Sequence, residues 1–228
     1  MGYSLKDITN SITPEKRAAD GFWTRFVLRY LSFPLTWLAL KLRLRANTVS
    51  YISVIFSIAG GILFSLEGFF FPLWGILAFF VFSILDCVDG NIARVTGTAG
   101  PWGGWADAVM GFVAYTSIFI ATGVYYYLKT GWWPVFIFTG ITASANLLTR
   151  VAYQIYKNIE GQSAHESVSF ERMLAENTGI TGFLVPALLF CHLWKGMIVV
   201  IGFNFFFYLG GCGITILKIA RKARLAGH

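Results

Sequence analysis

A chain of 228 residues with 56% hydrophobic and only 13% charged residues departs from soluble domains, which carry about 25% charged residues. Aromatics reach 18% and the mean hydropathy is +0.64, so the composition describes a polytopic membrane protein for which one domain suffices. The formal charge of +7 is informative mainly through where the basic residues fall, and no nucleic-acid partner is expected.

The opening residues are polar and include Asp7 and Glu15, so no cleavable signal peptide is expected. Lys6 stands where a myristoylation motif requires Ser or Thr. Residues 21–44 are apolar and aromatic but interrupted by Arg25, Arg29, Lys41 and Arg43, with Pro34 between them. The uncharged run 30–40 is too short to cross a bilayer. The pattern predicts an interfacial amphipathic helix in the headgroup layer, bent or broken near Pro34. Six long apolar runs follow, at 46–66, 68–85, 108–128, 131–149, 177–194 and 196–217. Each is near the ~20 residues that a helix needs to cross hydrocarbon. The expected fold class is therefore an all-α integral membrane protein, with six transmembrane helices preceded by that interfacial helix. Residues 1–45 form the lead and interfacial helix, and 46–228 the membrane domain with a polar loop at 158–176. Cys87, Cys191 and Cys212 lack CxxC spacing and read as small apolar residues.

With the N-terminus inside, every Lys and Arg except Lys129 and Lys195 falls on the inner side. That asymmetry predicts that both termini and the 158–176 loop are cytoplasmic. The basic tail KIARKARLAGH could touch anionic headgroups of the bilayer.

The sequence is organised around residues 85–111, LDCVDGNIARVTGTAGPWGGWADAVMG. Ionisable groups at the end of a membrane helix are costly, which makes Asp86, Asp89 and Asp107 a functional site by default. Asp86 and Asp89 are three apart and share a helical face. Such carboxylates repel one another unless a cation sits among them, and oxygen ligands without His or Cys suit Mg²⁺ or Mn²⁺. A hard cation held by carboxylates usually has phosphate as its other ligand. A structural ion-pair knot between Arg94 and the aspartates is the competing explanation.

The run Asp86-x-x-Asp89-Gly90-x-x-Ala93-Arg94, then eight residues, Gly103, three residues and Asp107 resembles the signature of the CDP-alcohol phosphotransferases. These integral-membrane enzymes make phospholipids from a CDP-activated group and an alcohol, releasing CMP. The resemblance implies metal binding by Asp86, Asp89 and Asp107. It also implies nucleotide binding by Asn47, Gly90, Ala93, Arg94 and Gly103, and a homodimer with a polar cavity open to the cytoplasm. Asn47-Thr48-Val49-Ser50 resembles the Asn-x-Val-Thr that the family places near the cytidine, although helix capping explains it equally. There is one departure. The family pattern places a fourth Asp, its general base and a ligand to a second metal, where this chain has Gly111.

His165 or Glu166 in the loop could replace that base, although a loop histidine is more often simply solvated. Asn146 and Arg150 share a face at the inner end of the fourth run. Related enzymes hold the phosphate of an incoming substrate near there, so Arg150 and, more weakly, Arg172 are candidates for an acceptor phosphate. Snorkelling of Arg150 to the interface is the alternative. Three functions follow: a transferase with a relocated base, a transferase using an already anionic acceptor, or a catalytically impaired homologue that binds a CDP compound without turnover.

Overall fold

The computed structural model describes residues 2–160, 185–190 and 194–226, and every regular element among them is a helix. A short helix α1 (Leu5–Asn10) starts at a reciprocal cap: Ser4 accepts from the Asp7 N–H, and the Asp7 carboxylate accepts from Ser4. Helix α2 (Pro14–Ala19) opens on Thr13 with Pro14 in its first turn. A single π turn over Thr24–Leu28 leads into α3 (Arg29–Lys41). The membrane helices are α4 (Ala46–Ser65), α5 (Phe71–Val95), α6 (Pro101–Thr130), α7 (Val135–Glu160) and α9 (Trp194–Ala226); between the last two lies the short α8 (Val185–Phe190).

Among the described residues, five helices are long and apolar enough to span a bilayer. Only a third to under a half of each is buried within the protein, so each carries an apolar outer face suited to lipid. Most of the expected run 177–194 lies outside the described residues; Val185–Phe190 and Trp194 are its described part.

Three expectations change. The 21–44 segment is helical but unbroken at Pro34, and its irregularity is the π turn upstream. Arg29, expected among the headgroup-facing residues, is 7% exposed and turns inward, because Asp20 and Asn91 offer it buried acceptors. The second apolar run also continues past Leu85 as one helix to Val95. The first half of the acidic motif is therefore held rigidly on α5 rather than on a helix end.

Helix α4 packs against α5 and α6, α3 against α5, and α7 against α6 and α9. The α4–α5 contact depends on missing side chains. A Cβ at Gly75 would stand 2.6 Å from the Phe64 nitrogen and 2.8 Å from the Gly60 carbonyl oxygen, so only glycine permits this separation. Across α4 and α6, the Ser57 hydroxyl donates to the Ala114 carbonyl and lies 3.0 Å from the Ser117 hydroxyl. The contact of Phe64 with Tyr125 and the approach of Asn47 to Gly103 make α4 and α6 parallel. Their starts therefore share one end of the bundle. At the other end Phe69, Phe70, Trp132 and Trp133 are exposed, an aromatic belt of the kind found at a membrane interface.

Candidate functional site

At the end where α4 and α6 begin, a cavity of about 1170 Å³ opens between the N-terminal segment, α4, α5 and α6. It exists because α5 runs on beyond its apolar stretch while the glycine-rich turn 96–100 and the first turn of α6 stand away from it. Asp86, Asp89 and Asp107 all line it, as do Asn47, Gly90, Ala93, Arg94 and Gly103. Eight residues chosen from spacing and resemblance thus converge on one wall system.

The geometry gives each a distinct environment. Asp89 is buried and accepts a hydrogen bond from the Ser50 hydroxyl across the α4–α5 contact. Asp86 and Asp107 take no hydrogen bond or salt bridge from other described residues, and lie within electrostatic reach of each other, of Lys16 and of Arg150. Gly90 is small for a local reason: a Cβ there would meet the Arg94 guanidinium at 3.2 Å, so the Arg94 side chain folds back over the bare backbone. Arg94 then donates from Nη2 to Asn91 Oδ1 at 2.8 Å. Its Nε is buried with no acceptor among the described residues. Gly103 sits opposite Asn47, with a Cβ there 4.0 Å from Asn47 Oδ1.

Among the described residues no three His, Cys, Asp or Glu side chains converge as a ready coordination shell. The donor set is nevertheless that of a hard divalent cation, which takes few carboxylates and fills its sphere with water and phosphate. Asp86, Asp89 and Asp107 are the carboxylates at this end of the cavity, and the other oxygens beside them are the neutral ones of Asn47, Thr48, Ser50 and Ser83. Cys87, which lines it as well, is 8% exposed.

Around Gly111 there is room. A Cβ would meet nothing nearer than the Tyr115 ring edge at 4.0 Å, so packing does not exclude a side chain there. Tyr115 lines the cavity, and the Arg150 guanidinium lies over its ring at 4.3 Å while Nε donates to Asn146 Oδ1 at 3.2 Å. Arg150 thus stands behind Tyr115 and is not itself part of the wall. His165, Glu166 and Arg172 fall outside the described residues.

Sequence reasoning missed the inner support of the site. Arg29 forms a two-pronged ion pair with Asp20, Nε to Oδ2 at 2.7 Å and Nη2 to Oδ1 at 2.9 Å, and donates from Nη1 to Asn91 Oδ1 at 3.0 Å. Burial is the largest single influence on Arg29 and opposes its charge, but the Asp20 hydrogen bond and the negative charge of Asp20 and Asp86 nearby together hold the guanidinium above its ordinary pKa. A signal was present: Arg29, Ser32 and Thr36 form a polar stripe at helical spacing on an otherwise apolar helix. Lys16, which sits 3.6 Å from Asp20, also reaches the cavity.

A helical bundle with spans of membrane length, carrying an acidic, glycine-edged cavity at one end, defines an integral-membrane protein whose site suits a phosphate-bearing ligand. The CDP-alcohol phosphatidyltransferase profile matches residues 43–210, and the chain belongs to that family. It is similar to a phosphatidylinositol phosphate synthase of Streptomyces avermitilis, with 31% identity over 108 residues. That match covers 47% of this chain and 41% of the synthase, so the chain aligns with about two-fifths of the relative's length.

Proposed function

We propose that the chain transfers a substituted phosphate group from a CDP-linked donor, such as CDP-diacylglycerol, to an alcohol or an anionic acceptor, releasing CMP in phospholipid biosynthesis. The observation that carries this reading is the convergence of Asp86, Asp89, Asp107, Asn47, Gly90, Ala93, Arg94 and Gly103 on one cavity. Family membership and the likeness to a phosphatidylinositol phosphate synthase support it.

Asp86, Asp89 and Asp107 would hold Mg²⁺ or Mn²⁺. When bound, the cation supplies charge neutralisation for the pyrophosphate and the departing CMP. The protein's part is mostly positioning, as is usual in phosphoryl transfer. Ser50 fixes the Asp89 carboxylate, and Asn47 and Gly103 face each other where a nucleotide would lie. Ala93 leaves the α5 backbone approachable, Gly90 makes room for the Arg94 guanidinium beside the nucleotide, and Arg94 presents that group to phosphate. General-base help is typically worth ~10²–10⁴ in rate, and a glycine at 111 cannot give it. The acceptor would then be ionised already, or a base would come from the loop, with His165 and Glu166 as candidates. Arg150, and Arg172 in the loop, would attract the phosphate of such an acceptor, with the Arg150 charge acting across the Tyr115 ring. The positive-inside pattern supports a site and termini on the cytoplasmic side of the membrane, and family analogy supports a homodimer.

The test is CMP release by purified protein from CDP-diacylglycerol with Mg²⁺ or Mn²⁺ and a panel of alcohols, phosphorylated alcohols and lipid phosphates. Asp86→Asn is the control. Metal-dependent release that disappears in the control establishes the transfer, and the productive acceptor separates an anionic nucleophile from a relocated base. Silence with this donor and with CDP-choline, while CDP compounds still stabilise the protein, would identify a binding protein without turnover.

A further inference from the structure

Asn91 lies inside the acidic motif, between Asp89 and Arg94, yet it belongs to a different arrangement. It is fully buried. Its Oδ1 accepts from two guanidinium groups, Arg29 Nη1 at 3.0 Å and Arg94 Nη2 at 2.8 Å. Its Nδ2 donates to Ser32 Oγ at 3.0 Å and Thr36 Oγ1 at 3.2 Å. The two hydroxyls spend their own protons on the Arg29 and Ser32 carbonyls, which leaves both oxygens as acceptors. The amide therefore has one satisfactory orientation, with its oxygen toward the arginines. Arg29 is fixed in turn by the two-pronged contact with Asp20.

The far end of this chain is the side chain that needs aiming. Arginine carries four flexible torsions, and ordering such a side chain costs entropy unless something else holds it. Here one Nη of Arg94 is tied to Asn91 and the guanidinium rests on bare Gly90, while the residue lines the cavity.

We propose that Asn91 and Arg29 are positioning residues, which hold the Arg94 guanidinium ready for the phosphate of the CDP-linked donor through the buried chain Asp20–Arg29–Asn91–Arg94. This rests on the transferase reading above. The consequence is that the N-terminal segment, which supplies Asp20 and Arg29, is part of the donor site rather than only a membrane-surface lead.

The test is a double-mutant cycle read on donor KM and kcat separately, with CDP-diacylglycerol in detergent micelles and Mg²⁺. Asn91→Leu should raise the donor KM about tenfold, the scale of losing one hydrogen bond to a charged group. In an Arg94→Ala background the same change should have no further effect on KM. Asn91→Asp keeps an acceptor between the two arginines and should stay within about threefold of the parent. If Asn91→Leu does not fold, Arg29→Lys carries the same test, since lysine keeps the charge beside Asp20 but lacks the fork that reaches Asn91. Effects on KM that multiply in the double mutant would overturn the proposal, because a purely structural Asn91 acts independently of Arg94. A parent protein that releases no CMP and binds no CDP compound would overturn the transferase reading, and this inference with it. An active parent with multiplying effects would overturn the inference alone.

Discussion

The contact between α3 and α5 and the contact between α7 and α9 are drawn from the same apolar composition but are held in different ways. Across α3 and α5, Arg29, Ser32, Thr36 and Asn91 make directional bonds with every partner specified. Across α7 and α9 Phe138 meets Phe205 ring to ring at 5.1 Å between centroids, and Trp132, just ahead of α7, stacks on Phe138 at 5.6 Å. In lipid there is little hydrophobic drive between helices, so both contacts depend on packing and hydrogen bonds. Aromatic faces tolerate sliding and re-packing, whereas a hydrogen-bonded chain tolerates one arrangement only. The rigid kind of contact lies under the cavity and the adaptable kind lies away from it. That is the distribution expected if the site needs fixed side chains and the rest of the bundle needs only contact area.

The largest effect should come from breaking the polar contact at its buried ion pair. Asp20→Ala leaves Arg29 desolvated without its counter-charge, and removing one partner of a buried pair costs roughly 3–5 kcal/mol. Unfolding in detergent, followed by helical circular dichroism, should show that loss. Replacing both residues with apolar ones of similar volume, Asp20→Leu with Arg29→Met, should recover most of the stability. If Asp20→Ala melts like the parent, the pair contributes nothing and the contrast between the two contacts disappears.

The aromatic contact should respond less. Phe138→Leu keeps an apolar side chain of moderate size and removes one stacked and one edge-on partner. Such pairs are worth about 0.5–1.5 kcal/mol each, and a neighbouring ring can move into part of the space, so a loss of about 1–2 kcal/mol is expected. The KM for a CDP-linked donor should not change. A loss as large as that of Asp20→Ala would mean that the rings are as tightly specified as the hydrogen-bonded chain.

How much of this was legible follows from the kind of signal each part leaves. The five described spans were plain, because a helix crossing lipid must be apolar over most of its length and nothing in the composition disguised them. The carboxylates that line the cavity were plain as well, since carboxylates on apolar helices stand out and their spacing is fixed by backbone geometry. The extension of α5 to Val95 was obscured because charge ends a hydropathy run without ending a helix. The inward turn of Arg29 was missed for a different reason. A basic residue beside aromatics has two outlets, the headgroups or a buried acceptor, and the choice depends on Asp20 and on an Asn91 sixty-two positions away. Local pattern holds no information about a partner so distant. The same limit applies to Ser50, which was noticed as part of a motif while its bond to Asp89 could only be seen across two helices.

The smallest expected effect concerns how the polar contact is delivered to the site. Helix α1 packs on α3 and α5 through Ile8, which is fully buried, and it begins at the Ser4–Asp7 cap. The Ser4 backbone N–H donates to Asp7 Oδ2 at 2.8 Å, and the Ser4 hydroxyl does so at the same distance. These bonds, the backbone one foremost, hold the Asp7 carboxyl below its ordinary value of 3.8, with a small further pull from Lys6 and slight opposition from burial. A carboxyl whose pKa is lower folded than unfolded stabilises the folded state fully above its ordinary value. That contribution is lost as pH falls through the lower, folded value. Asp7 is fully exposed, so the effect is confined to acid and is modest. Asp7→Asn should therefore lower the melting temperature slightly at pH 7, and the difference should shrink as pH falls below 3.8 and vanish once the folded parent carboxyl is protonated too. Protease cleavage ahead of Asp20 should rise in parallel with the loss at pH 7. If the cut rate rises while the donor KM stays fixed, α1 only shields the segment. A KM that rises with it would show that docking of α1 helps to hold Asp20 and Arg29 beneath the cavity.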